Sequence, residues 1–404
     1  MDNHGKKKNL IYRCTHMHNY YDPMINFAVF TLMIFGTLMI VSTSVGYTDE
    51  SFTIVGSVFR KQISFLFAGY IVMLATNKIF SFSWFRKLQW ILFIVFIFVL
   101  LLPFGFQAVG GSHAWIQLGP VTVQPSEFAK PLMIVLVATA LHVAQNKPYL
   151  WKNFWTLMKG PFIAFCIIEI IVAAQKDFGT AAIIAGITFV CMMIPSAPSI
   201  EKTQKKAVKI VVALVVVGVA AFGFSNFGTQ MLKGTPLHHI AVRVENAKNP
   251  FAQGNVFKDG YQPANSLYGI ADSHVWGKGI GNSTRKYGYL TQADNDYILA
   301  ITIEETGIFG FLFIIIMYGI IIYRLLYYAF KTNNLSYKVM LSGNAAYLFL
   351  HFLLNVGGVG AFIPMTGIPL LFISSGGSSL LAICAMIGVS QQCIRNVRME
   401  ELKR

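Results

Sequence analysis

Apolar runs of about 20 residues recur along this chain, separated mostly by short basic tethers, and they limit what it can fold into. No water reaches the backbone inside a bilayer, so a spanning run must satisfy its own N–H and C=O groups by winding into a helix. The runs lie near residues 25–46, 62–77, 88–106, 126–144, 160–175, 178–195, 208–227, 306–328, 339–362 and 378–394. They predict an all-α integral membrane protein of about ten transmembrane helices, with a long extracellular loop between helices 7 and 8. Composition agrees: 55% of the 404 residues are hydrophobic and 12% are charged, about half the charged share of a soluble domain. A water-soluble enzyme is excluded.

The formal charge of +15 could suggest nucleic acid, but the basic residues sit in tethers between apolar runs. Of the 32 Lys and Arg, 21 fall in the tails and in the connections that share their side. That bias predicts a multi-pass protein with both termini in the cytoplasm. Membrane lipids are expected partners and nucleic acid is not. Residues 1–24 read as a cytoplasmic N-terminal tail, 25–395 as one polytopic membrane domain, and 396–404 as a cytoplasmic C-terminal tail. The opening stretch is too polar for a cleavable leader. Five cysteines show neither a disulfide framework nor metal-ligand spacing. No metal site is read and no cofactor is identified; a divalent-cation requirement stays open.

Residues 229–296 form the one long connection and carry Lys233, Arg243, Lys248, Lys258, Lys278, Arg285 and Lys286 among aromatic and aliphatic residues. A loop of that length is functional or disordered, and its apolar content predicts an ordered loop packed over the outer face. Within the apolar runs, Glu127 and Lys130 stand three apart on one helical face, suited either to pair or to meet a substrate. Glu169 stands among Ile and Val, as a structural partner or a functional carboxylate. Asp177 is placed to cap the next helix. Asp296 falls where apolar character resumes, where it would either cap a helix or serve as a partly desolvated base.

Four blocks then occur in series. Gly111-Ser-His-Ala-Trp115-Ile116, Gln124-Pro-Ser-Glu127-Phe-Ala-Lys130, Gln175-Lys-Asp177-Phe-Gly-Thr-Ala181 and Pro364 to Ser379 resemble, in order, the SEDS family (shape, elongation, division and sporulation proteins). Asp259-Gly-Tyr-Gln262 with Asn265-Ser266, and Gly277 to Ser283, resemble its division branch, FtsW, more than its elongation branch, RodA.

The resemblance implies a peptidoglycan glycosyltransferase that joins lipid II-linked disaccharides into a glycan strand at the outer leaflet, by inverting transfer with release of polyprenyl diphosphate. It implies a site at the division septum, and as partners a class B penicillin-binding protein (the transpeptidase) and other division proteins. The family's essential aspartate carries over to Asp296, with Asp294 as its neighbouring rival. Arg243, Lys286 and Lys130 are the cations expected to hold diphosphate, and Glu127, Trp115, Gln262, Ser266 and Ser378 complete the expected substrate-binding set. The chain departs from the family at Ala114, Thr291, Gln292, Asp294 and Leu371. Two other readings are a lipid II flippase, which would carry charges deep in several spans where Glu169 alone is evident, and a non-catalytic division scaffold.

Overall fold

The computed structural model describes residues 20–46, 51–119, 121–224, 227–235, 238–252 and 260–403. Cys14 in the N-terminal tail and Asp259 in the long loop lie outside the described residues. Among the described residues, ten apolar helices form the bundle: α1 (Pro23–Ser44), α2 (Ser51–Ile79), α3 (Phe82–Leu101), α4 (Ser126–Ala144), α5 (Phe154–Ala174), α6 (Phe178–Met193), α7 (Pro198–Gly218), α11 (Ile298–Lys331), α12 (Leu335–Val359) and α13 (Gly377–Glu401). Nine are long and apolar enough to cross a membrane, and α6 is a shorter apolar helix of 16 residues. A small antiparallel hairpin, β1 (Ile116–Leu118) and β2 (Val121–Val123), precedes α4. The long connection holds three helices of its own: α8 (Phe227–Lys233), α9 (His238–Lys248) and α10 (Tyr261–Asp272).

Several helices start or end beyond the hydropathy boundaries. Arg60 and Lys61 depress the apolar signal of α2 without breaking it, so the helix begins at Ser51 rather than near 62. The last helix runs to Glu401, so most of the expected tail from 396 is helical. The correction that bears on chemistry is α11, which begins at Ile298 instead of near 306 and takes Glu304 and Glu305 into the membrane helix ahead of a kink at Gly307. Glu169 is therefore not the only carboxylate inside a span.

The helices pack as α13 along α2, α11 against α1 and α12, and α4 against α6 and α12. By contrast α7 leans out, its Leu214 to Val217 side chains exposed on successive faces, so lipid is its natural surrounding. It is moored at its first turns, where Gln204 Nε2 donates to the carbonyls of Met192 (3.1 Å) and Pro195 (2.6 Å) at the open end of α6.

The start of α1 and the end of α13 meet on one face of the bundle. Buried Asp22 caps α1 by accepting from Met24 N (2.9 Å), and its other oxygen takes Arg324 and Arg398. Gln391 brackets the same residue, accepting from Asp22 N and donating to Asp22 O, both at 2.8 Å.

On the opposite, loop-bearing face, the segment after α10 is ordered by two buried glutamates. Glu304 accepts from Ser283 Oγ (2.6 Å), Thr284 Oγ1 (2.8 Å), Thr284 N (3.1 Å) and Lys278 Nζ (2.8 Å). Glu305 accepts from Ser42 Oγ (2.6 Å) on α1 and from Lys286 Nζ (3.1 Å). Gly277 and Gly307, both at positive φ, let the segment's backbone lie directly on the kink; a Cβ at either would strike the opposing main chain.

Lys286 and Glu305 are both fully buried, so removing one partner strands the other's charge, at a cost of about 3–5 kcal/mol. Lys286→Met is therefore expected to lower the Tm in detergent substantially, and Lys286→Met with Glu305→Gln to recover most of the loss. An unchanged Tm in the single variant would show that the pair is not formed.

Candidate active site

Where α11 begins, the chain turns tightly through residues 291–297 and faces a cleft of about 320 Å³. Five stretches wall it: α9 brings Arg243 and Asn246, α10 brings Gln262, the turn brings Asp296, α12 brings Gly358, and the connection from α12 to α13 brings Met365 and Gly367. Gln262 Nε2 also donates to Thr291 Oγ1, which ties α10 to the turn. Gly367 stands at φ +72 with its Cα hydrogen toward Asp296 Oδ2, a left-handed position that a side chain would strain.

Asp296 is the chemically distinctive group here. Its Oδ1 is buried and has no hydrogen-bond partner among the described residues. Burial pushes its carboxyl up to about 6, against the pull of the Arg243 guanidinium and with a further push from Asp294. Such a carboxylate is ionised at neutral pH yet basic enough to take a proton from a hydroxyl held against it. Asp294 does not line the cleft. Of the two neighbouring aspartates, only Asp296 is presented to it.

A second, smaller niche of about 30 Å³ adjoins the cleft through Gly367 and gathers Trp115, Gln124, Glu127, Asn295 and Ser378. The hairpin is set in place by Ser112 Oγ and His113 N donating to Gln175 O (2.9 and 3.0 Å) and by Gln124 N donating to Ser378 Oγ (3.0 Å). Gln124 Nε2 also reaches Asp177 (2.6 Å), which caps α6 through Thr180 N (3.2 Å). The turn at 175–177 is thus a structural anchor for the hairpin.

The expected substrate-binding residues therefore divide. Arg243 and Gln262 share the cleft with Asp296, while Trp115, Glu127 and Ser378 share the niche beside it. Lys130 is fully buried, 2.5 Å from Glu127 Oε1 and 3.0 Å from His351 Nε2. An ammonium only donates, so Nε2 accepts and Nδ1–H of His351 donates to Pro369 O at 3.1 Å. Lys130 is spent inside the bundle and does not face outward as a diphosphate ligand. Lys286 is likewise spent on Glu305 and lines neither space. Ser266 is fully buried and donates to Val359 O at 2.9 Å, pinning α10 to the end of α12. Glu169 is half-buried on α5, outside both spaces, with Oε1 lacking a partner among the described residues. His351, an uncharged residue inside an apolar run, drew no attention from the sequence; only its contact with Lys130 marks it.

Residues 23–399 match the cell cycle protein family that groups FtsW, RodA and SpoVE. The chain belongs to that family. It is 32% identical over 391 residues to the Bacillus subtilis (strain 168) protein named "Probable peptidoglycan glycosyltransferase FtsW", covering 95% of this chain and 93% of the relative. Among solved structures it is similar to a chain from a study titled "Structural coordination of polymerization and crosslinking by a peptidoglycan synthase complex" (TM-score 0.69, 20% identity, 93% of this chain and 98% of that one). It is also similar to Thermus thermophilus RodA (TM-score 0.60, 21% identity, 93% and 97% covered). At those identities the structural matches establish the fold: an all-α, multi-pass membrane protein of the FtsW/RodA type.

Asp296→Asn is expected to stabilise the fold at neutral pH. The carboxyl ionises near 3.8 when unfolded and near 6 when folded, so wild-type stability falls as pH rises through that window and the loss is complete above it. A shift of this size corresponds to roughly 3 kcal/mol, which an amide does not lose. Thermal unfolding should give matching Tm values at about pH 4 and a higher Tm for the variant at about pH 8. A variant less stable at both would exclude a strained, ionised carboxylate at this position.

Proposed function

We propose that this chain is a peptidoglycan glycosyltransferase that joins lipid II-linked disaccharides into glycan strands during septal wall synthesis. The observation that carries the reading is Asp296, a carboxylate at the mouth of a membrane helix whose Oδ1 has no partner among the described residues, sharing a cleft with Arg243. The chain's family and the name of its B. subtilis relative point the same way.

The chemistry follows from the groups at hand. A sugar hydroxyl of one lipid-linked saccharide attacks the anomeric carbon of another, and Asp296 accepts the hydroxyl proton as the C–O bond forms. The bond to the polyprenyl diphosphate breaks, its electron pair leaving on the diphosphate oxygen. Arg243 offers planar paired donors to that anion. Among the described residues lining the cleft, Asp296 is the one carboxylate, which favours a single inverting displacement; retention would need a second carboxylate as nucleophile.

The basic bias of the tethers supports cytoplasmic termini, with the cleft on the outer face. A structural relative from a complex that couples polymerisation with crosslinking supports a class B penicillin-binding protein as partner, and the likeness to FtsW supports placement at the septum. A flippase role draws less support, because Glu127, Glu304 and Glu305 each have a lysine partner. Scaffolding of a transpeptidase is compatible with the enzymatic reading.

With full-length protein and its transpeptidase partner in liposomes containing lipid II, Asp296→Asn is expected to cut polymer yield on a gel by about 10²–10⁴-fold. Asp294→Asn should be much milder. The reverse ranking would move the base to Asp294, and wild-type yield in both would remove this turn from the chemistry.

For topology, a cysteine at Asn249, exposed just after α9, should react with a membrane-impermeant maleimide in intact cells, whereas Cys14 should not. Position 266 is unsuited because Ser266 is fully buried. Labelling of Cys14 without lysis reverses the orientation.

A further inference from the structure

Three consecutive peptide carbonyls lead up to α11, and each is held from outside its own turn. Asp294 O accepts from Ser375 N at 3.0 Å, Asn295 O from Ser374 Oγ at 2.8 Å, and Asp296 O from Asn355 Nδ2 at 3.1 Å. The same Asn355 nitrogen donates to Ile368 O at 2.9 Å, beside Gly367 in the wall of the cleft. Both acceptors are carbonyls, so the orientation of the amide is fixed by its partners. Ser374 closes the arrangement, its Oγ accepting from Leu370 N at 2.8 Å while it donates to Asn295 O.

These donors are not equivalent. Ser374 and Ser375 belong to the connection between α12 and α13, which is irregular, whereas Asn355 stands inside α12 and is 1% exposed. Asn355 therefore refers both the turn and the facing connection to a rigid helix. The peptide that bears the carboxylate is clamped while the carboxylate's Oδ1 has no partner among the described residues. That is the arrangement a general base requires, since catalysis depends on placement to within about 1 Å.

We propose that Asn355, assisted by Ser374, is the positioning residue that aims Asp296 into the cleft. The inference rests on Asp296 acting as the base. Without the Asn355 amide the turn is freed from α12, and the carboxylate can swing toward water and regain hydration. Its acid strength then reports the event. The charged and titratable groups facing it are Arg243 on α9, with Asp294 and Tyr297 on its own segment. The lining from α10, Gln262 and Pro263, and from the connection, Ile363, Met365 and Gly367, does not titrate. Relief of burial therefore lowers the carboxyl from about 6 toward its ordinary value.

The test compares Asn355→Leu, of similar volume but without a donor, with the gentler Ser374→Ala and with Asp296→Asn, all in the full chain reconstituted with lipid II. For Asn355→Leu we expect kcat to fall about 10–100-fold at unchanged KM. The acid limb of its kcat/KM profile, which follows the ionisation of the free protein, should move down from near pH 6. Ser374→Ala should shift both quantities in the same direction by less, and it decides the matter if Asn355→Leu does not fold. Wild-type kcat and acid limb in these variants, or activity that falls only with the folded fraction while the limb stays in place, would refute positioning. Full activity of Asp296→Asn would refute the base itself. An inactive Asp296→Asn beside wild-type Asn355 and Ser374 variants would leave the base and discard only its clamp.

Discussion

Two adjacent glutamates at the start of a membrane helix need partners, and the loop-bearing face is arranged around supplying them. A carboxylate taken into an apolar bundle loses several kcal/mol of hydration unless hydrogen bonds and an opposite charge replace it. Glu304 and Glu305 obtain these from Lys278, Ser283, Thr284 and Lys286 in the preceding segment and from Ser42 on α1. Because the donors come from so short a stretch of chain, satisfying the charges also fixes the path of the backbone. The turn that presents Asp296 follows directly from that fixed segment, through Leu290 N donating to Arg285 O at 3.1 Å.

Against this background, the unpaired groups stand out. Lys130, Lys278 and Lys286 each have an ion-pair partner, and Asp22 has two arginines. Asp296 Oδ1 and Glu127 Oε2 are buried without partners among the described residues, and both residues line spaces that adjoin through Gly367. Leaving these two oxygens open while Lys130, Lys278 and Lys286 are paired concentrates reactive capacity on one face. Burial alone would make a stray carboxylate a defect; burial at the wall of a cleft beside Arg243 makes it usable.

Much of this was legible in hydropathy, because a spanning helix announces itself by length. What misled was charge near helix ends. Glu304 and Glu305 lowered the apolar signal enough to hide the start of α11, and with that start hidden Lys286 looked like a free outward cation. Its partner is 19 residues away and on another element. Lys130 misled for a related reason: the adjacent Glu127 was visible in the sequence, but His351 was 221 residues distant. Asn355 and Ser374 gave no signal, since a lone amide or hydroxyl within or beside an apolar segment looks the same whether it clamps a catalytic turn or merely satisfies a neighbour. Asp296 was accessible only through the order of motifs around it; local pattern alone favoured a capping residue.

The acid and the cation of the cleft are held with unequal firmness. Asp296 sits on a turn fixed by three hydrogen bonds to its carbonyls, one of them from the interior of α12. Arg243 is exposed on α9, a short helix joined to α8 by the Lys233–Glu245 pair at 2.7 Å, whose side chains are 49% and 39% exposed. A pair so open to solvent contributes about 0–1 kcal/mol; α9 itself is seated by buried Ala241, Val244 and Asn246, and what is free to move is the exposed Arg243 side chain. The difference suits the reaction: the proton acceptor must be placed before the hydroxyl arrives, whereas the cation has to follow a bulky diphosphate as it enters bonded to sugar and leaves free. A rigid base facing an adaptable counter-charge needs only one side of the cleft to be pre-formed.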